Sequence, residues 1–175
     1  MIMRIERWSP DQKAVIVTAV LSVVAMIAVF AHPYDYRLVA INALLLFHTF
    51  FSIRCFSRLI RPFTPTQQGI DLSLVVLYGI LLSVKLTPQQ YLSVFFVLFV
   101  LASSKYWNAP HAPAVHPLFR RKLIVDSIAG GVIALSLLLL KFTPSIDVFT
   151  PLVVVYLIGT VYFFAVRPLY PIVEP

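Results

Sequence analysis

The chain has 175 residues, of which 60% are hydrophobic and 12% are charged. Soluble domains are nearer about 45–50% apolar and about 25% charged, so this composition indicates a protein whose solvent is a lipid bilayer. The formal net charge of +7 does not favour nucleic-acid binding, because the basic residues lie between long apolar runs. A single cysteine excludes an internal disulfide and a CxxC metal or redox site.

Six apolar segments are long enough to cross a hydrocarbon core, which takes roughly 17–20 helical residues. They cover about 13–31, 37–54, 70–86, 90–106, 123–141 and 148–166. The first follows basic residues as a secretory signal would, but its apolar run from Ala14 to Ala31 is long enough for a span. We therefore predict an all-α polytopic membrane protein with a single transmembrane domain over residues 1–175 and no soluble domain.

Lysine and arginine are unequally divided between the two sets of connections. Arg37, Lys85 and Lys141 lie on one side, and the other eleven of the fourteen lie on the side that holds both termini. Because basic residues concentrate in cytoplasmic loops, this asymmetry predicts that both termini are cytoplasmic. The short connections of this compact chain make a bacterial inner membrane the expected compartment.

The segments form three consecutive hairpins with a spacing near 55 residues. Pro33, Pro88 and Pro144 lie 55 and 56 residues apart, and two of these prolines close the similar stretches KLTP (85–88) and KFTP (141–144). Such regularity is typical of a repeat and predicts hairpins over about 10–62, 63–117 and 118–170. Prolines mark turns in any six-helix protein, so an origin without duplication stays open.

Polar residues inside spans are candidates for function, because lipid does not solvate them. In the second segment these are Asn42, His48 and Ser52, with Cys55 beyond them. His48 and Cys55 share a helix face as a base and a nucleophile would. Seven helical residues separate them by roughly 10 Å, whereas such a pair needs about 3 Å. We therefore expect His48 to bond a neighbouring helix.

Basic residues in the inner connections are candidate contacts for anionic lipid headgroups or for an acidic partner. They are Arg54, Arg58, Arg61, Arg120, Arg121 and Lys122. Ordinary snorkelling of long cationic side chains is the alternative. His111 and His116 lie in the second inner connection without the further ligands that structural zinc requires. Asp71 and Asp126 are expected near helix starts, where the helix dipole favours a carboxylate.

Small residues at helical spacing predict helix–helix contacts, because helices in lipid associate through close approach. The candidates are Ala14, Thr18, Ser22, Gly79, Ser83, Gly130 and Ala134. Aromatic residues and leucine are dense in the second, fourth and sixth segments. Those segments are expected to face lipid or a larger partner.

The leading functional hypothesis is a non-catalytic integral membrane subunit that serves as an anchor, assembly factor or regulatory component. It is expected to contact anionic lipids and either another protein chain or a second copy of itself. The alternative is a channel or transporter for a small or apolar solute. A third hypothesis is an enzyme that acts on lipids, with Asp71 and Asp126 as its nearest carboxylates. No cofactor, metal or catalytic residue is predicted.

Overall fold

The computed structural model describes residues 9–31, 35–56, 65–83, 85–107 and 117–169. These residues form six α-helices. The helices are α1 (Pro10–Ala31), α2 (Tyr36–Phe56), α3 (Pro65–Ser83), α4 (Pro88–Trp107), α5 (Pro117–Phe142) and α6 (Phe149–Val161). A π-helical turn over Tyr162–Val166 continues α6. The predicted all-helical class is confirmed.

Proline and capping residues set where several helices start. In α1 the Ser9 Oγ accepts from the Gln12 backbone N–H at 3.1 Å, and Gln12 Oε1 accepts from the Ser9 N–H at 2.9 Å. Thr87 and Gln90 make the same reciprocal pair at the start of α4. Proline suits the first helical position because its missing N–H has no partner there. It occupies that position in four helices, at Pro10, Pro65, Pro88 and Pro117.

Four of the helices are long and apolar enough to cross a membrane. They correspond to Asp11–Val29, Tyr36–Phe56, Pro117–Phe142 and Phe149–Val166. Helices α3 and α4 have comparable lengths of 19 and 20 residues. Each carries two glutamines in its first turn, at positions 67 and 68 and positions 89 and 90, which lower its mean hydropathy. The length and apolarity of the four helices indicate a membrane protein.

Successive helices run in opposite directions. Asp11 at the start of α1 accepts a hydrogen bond from Arg54 at the end of α2, at 2.7 Å. Three aromatic residues meet at the same end of the bundle, where α2 and α4 finish and α5 begins: Phe56, Tyr106 and Phe119. The predicted up-and-down order of the helices is therefore present in the fold.

The three predicted hairpins are not equivalent. Helix α1 packs against α2, and α3 packs against α4, as hairpins do. The main neighbours of α5 and α6 among the described residues are instead α4 and α2. The two KxTP stretches differ too, because Thr87 caps α4 whereas the Thr143 N–H bonds the Leu139 carbonyl at the end of α5.

Helix α4 contributes much of the core. Tyr91, Phe95 and Phe99 are buried, and the rings of Phe95 and Tyr156 lie 5.8 Å apart between α4 and α6. The expectation that the fourth segment faces lipid or a larger partner is wrong for these residues. Because α4 packs between α3 and α5, its aromatic rings fill the interior.

Candidate functional site

A cavity of about 890 Å³ lies within the bundle and is partly open to its surface. Every helix contributes to its wall, which is mostly apolar. Apolar members of the wall include Val17, Leu21, Leu45, Leu74, Leu98, Val125, Val132 and Leu152. Small-molecule sites commonly measure roughly 300–1,000 Å³ and are lined by apolar side chains with a few polar groups. The cavity therefore has the size and lining of a site for a small organic molecule.

An ion pair within α5 borders the cavity. The Lys122 ammonium donates a hydrogen bond to Asp126 Oδ1 four residues later. The exposed fraction of the side chain is 11% for Lys122 and 1% for Asp126. The second carboxylate oxygen, Asp126 Oδ2, accepts no hydrogen bond from the described residues. One acceptor of this pair is therefore buried and unsatisfied.

Further polar groups lie at the same end of the cavity. The Lys122 Nζ is 5.8 Å from the centre of the Tyr106 ring, and the Tyr106 hydroxyl lies 2.9 Å from Ser52 Oγ. A second ion pair joins Lys105 of α4 to Asp71 of α3. All five side chains belong to the cavity wall, so its polar end is formed by α2, α3, α4 and α5 together.

A hydrogen bond between α2 and α3 borders the cavity nearer the middle of the bundle. Thr49 Oγ1 donates to the carbonyl oxygen of Leu45 at 2.8 Å. The same hydroxyl is hydrogen-bonded to the Tyr78 hydroxyl, so Tyr78 is the donor of that second bond. Both hydroxyl groups are satisfied within the protein.

His48 and Cys55 have separate surroundings. His48 Nε2 lies 2.9 Å from Thr160 Oγ1 of α6. Since that hydroxyl donates to the Tyr156 carbonyl at 2.7 Å, the histidine is the donor and carries its proton on Nε2. Cys55 packs in the aromatic cluster at the end of the bundle. The structure thus joins His48 to α6 and places Cys55 among the aromatic residues at the end of the bundle.

The other two predicted polar residues also bond other helices. The Tyr91 hydroxyl donates to Asn42 Oδ1 at 2.6 Å between α4 and α2, and both side chains are buried. Ser52 bonds Tyr106 at the opposite end of the bundle. These contacts fix α2 against α4 at two levels.

The basic candidates have different environments. Arg54 pairs with Asp11, and Arg120 is exposed. Arg121 is half-buried. Lys122 requires a correction, because its ammonium points into the bundle toward Asp126 and not toward a headgroup layer. Arg58 and Arg61 lie outside the described residues, as do His111 and His116.

The expectation for Asp71 and Asp126 is also corrected. Proline starts α3 at Pro65 and α5 at Pro117, so both carboxylates lie beyond the first turn of their helices. Each forms an ion pair with a lysine instead of capping a helix. The i, i+4 spacing of Lys122 and Asp126 was the available sequence signal for one of these pairs.

The predicted helix-packing residues vary in their contacts. Ala14 and Gly130 are buried, and a Cβ at Gly130 would lie 3.8 Å from the Phe99 Cβ. A Cβ at Gly79 would meet no atom within 4 Å, so the space in which a side chain would lie there is open. The half-buried members are Thr18, Ser22 and Ala134, and the side chain of Ser83 is outside the described part.

Within the described ranges, no three side chains among His, Cys, Asp and Glu are grouped so that they could hold a metal ion. Comparison with known proteins finds no matching family model, no similar curated protein and no similar solved structure. The cavity and its polar end are the features of the bundle that bear on function.

Proposed function

We propose that this chain is a membrane transporter that binds and moves a small apolar or amphipathic solute. The observation that carries the proposal is the cavity of about 890 Å³, to which all six helices contribute. A mostly apolar wall with polar groups at one end suits a molecule that has an apolar body and a polar head. The partial opening of the cavity gives such a molecule a way in.

The cavity favours this function over the two others predicted from the sequence. An anchor or assembly subunit needs helix surfaces for its partners, but it does not need a cavity. The subunit function therefore gains no support from the cavity and stays a prediction. An enzyme that uses paired carboxylates would bring Asp71 and Asp126 together. Both border the cavity, but each forms an ion pair with a lysine.

The proposed protein has six spans, with α3 and α4 crossing the bilayer beside the four more apolar helices. Both termini then lie in the cytoplasm, as the distribution of basic residues predicts. A bacterial inner membrane is the proposed location. Anionic lipids would contact the exposed arginines at the cytoplasmic end. The protein would also bind either a second copy of itself or another protein chain.

The test uses the purified chain in liposomes with a fluorescent amphiphile and a membrane-impermeant quencher. We expect the chain to accelerate movement of the amphiphile between leaflets over protein-free liposomes. The variant Ala129→Phe adds a large ring to the cavity wall and should slow this movement severalfold. On the same helix Leu135 is exposed and is not part of the wall, so Leu135→Phe is the matched control and should behave like the wild type. Rates equal to those of empty liposomes would contradict transport.

A further inference from the structure

The polar end of the cavity carries hydrogen-bonding capacity that the described protein groups do not use. Lysine ammonium has three N–H donors, and one of those on Lys122 is bonded to Asp126 Oδ1. Asp126 Oδ2 is buried and accepts no hydrogen bond from the described residues. Both residues line the cavity, so they bring a donor and a buried acceptor together beside it.

Most of the positive charge at this end is matched by carboxylates. Lys122 is matched by Asp126, and Lys105 is matched by Asp71. Lys13 also borders the cavity, so three lysines and two aspartates line this end. An anion entering the cavity would meet two carboxylates as well as three ammonium groups, so only one excess positive charge would offset its loss of hydration.

We infer that the solute is a neutral amphiphile with a hydroxyl head group, of the class of single-chain or isoprenoid alcohols, and that its hydroxyl bridges Lys122 and Asp126. A hydroxyl can accept from the ammonium and donate to the carboxylate at once. Because an ammonium only donates and a carboxylate only accepts, the hydroxyl oxygen accepts from Lys122 and its proton is turned toward Asp126 Oδ2. The apolar chain then lies along the leucine and valine wall. This inference rests on the proposed function and adds the class of its solute.

The test is a binding comparison among three probes that share one apolar chain and a photoreactive diazirine. The probes are the alcohol, its methyl ether and the matching carboxylic acid at mildly alkaline pH, where the acid is an anion. Purified protein in nanodiscs is irradiated with each probe, and the labelled peptides are mapped by mass spectrometry. Affinities come from competition with the unlabelled compounds.

We expect the alcohol to bind about tenfold more tightly than the ether, since the ether cannot donate and hydrogen bonds to charged groups are among the stronger ones. Labelling should fall on cavity-lining peptides of α3 and α5. In the double variant Lys122→Met/Asp126→Leu the alcohol and the ether should bind equally. The matched control Asp11→Asn/Arg54→Gln removes an ion pair that does not border the cavity and should keep the preference.

Equal binding of the alcohol and the ether to the wild type would overturn the hydroxyl assignment and leave the proposed apolar-solute function standing. Preference for the carboxylate would overturn it too, because the site would then be one for anions. If no probe labels the cavity peptides, the proposed function itself fails. The wild-type comparison decides these outcomes even if the double variant does not fold.

Discussion

Two lysine–aspartate pairs at the same end of the bundle differ in their access to solvent. The side chains of Lys122 and Asp126 are 11% and 1% exposed, whereas those of Lys105 and Asp71 are 22% and 33% exposed. In a buried pair, removing one partner leaves an uncompensated charge, while removing both with apolar residues is often neutral. A partly exposed pair contributes less, because water and salt screen it.

This contrast gives a prediction for single residues. Lys122→Met should lower the free energy of unfolding in detergent by about 3 kcal/mol, and adding Asp126→Leu should restore most of the loss. The matched variant Lys105→Met should cost no more than about 1 kcal/mol. Reversible unfolding followed by circular dichroism measures the free energy of unfolding of these variants and of the wild type. Equal losses from Lys122→Met and Lys105→Met would show that the burial of the α5 pair has no energetic weight.

The start of α2 is held to the turn between α5 and α6 by one arginine. Arg37 Nε donates to both oxygens of Asp35 at 2.9 Å, and Arg37 Nη1 lies 2.9 Å from Asp147 Oδ1. The pKa of Asp35 lies below its ordinary value of 3.8, chiefly because of the hydrogen bond from Arg37. The pKa of Asp147 is lowered first by the hydrogen bond from the Thr150 side chain and further by the charge of Arg37. Each carboxylate is therefore stabilised in its ionised form by the fold.

The lowered pKa values of Asp35 and Asp147 predict how the stability of this contact between α2 and the α5–α6 turn depends on pH. A carboxylate whose pKa is lowered in the folded state contributes stability above its unfolded pKa and loses it as the pH falls through the folded value. Wild type should therefore be more stable than Asp147→Asn by a constant amount above about pH 5. The difference should disappear as the pH drops below 3.8. Asparagine still serves as a helix cap, so the comparison reports the charge and not the cap. The measurement is the unfolding midpoint of wild type and of Asp147→Asn at several pH values. A stability difference between them that persists in acid would contradict the prediction.

The alternating helix directions and the uneven distribution of basic residues together predict which ends of the helices lie in the cytoplasm and which lie outside the cell. Single cysteines in a Cys55→Ser background can be labelled with a membrane-impermeant maleimide in intact cells. Ile146→Cys, in the exposed turn after α5, and Lys85→Cys, in the exposed turn before α4, should both react from outside. Ser9→Cys should react only after permeabilisation. If α3 and α4 do not cross the bilayer, position 85 will be protected in intact cells while position 146 still reacts.

Much of the fold follows from local sequence. Long apolar runs form helices wherever the backbone must satisfy its own hydrogen bonds in lipid. Pro65 and Pro117 start α3 and α5 because proline fits the first helical turn. Both helices therefore begin several residues before the positions predicted from the apolar runs. The apolar runs alone did not reveal those starts, since α3 begins with a polar turn and three consecutive basic residues, Arg120, Arg121 and Lys122, follow the start of α5.

The choice of helix neighbours and the cavity came only from the tertiary structure. His48 meets Thr160 across 112 residues of sequence, and Asn42 meets Tyr91 across 49. In an apolar helix the face toward lipid and the face toward protein have similar polarity, so no periodic pattern distinguishes them. For that reason apolarity predicts that the fourth segment faces lipid or a larger partner, and charge predicts that Lys122 meets a lipid headgroup or an acidic partner. Phe95, Phe99 and Lys122 are instead buried within the chain. Sequence determined the number, class and alternation of the helices because those depend on local apolarity and charge. Packing alone decided which polar groups meet at one end of the cavity.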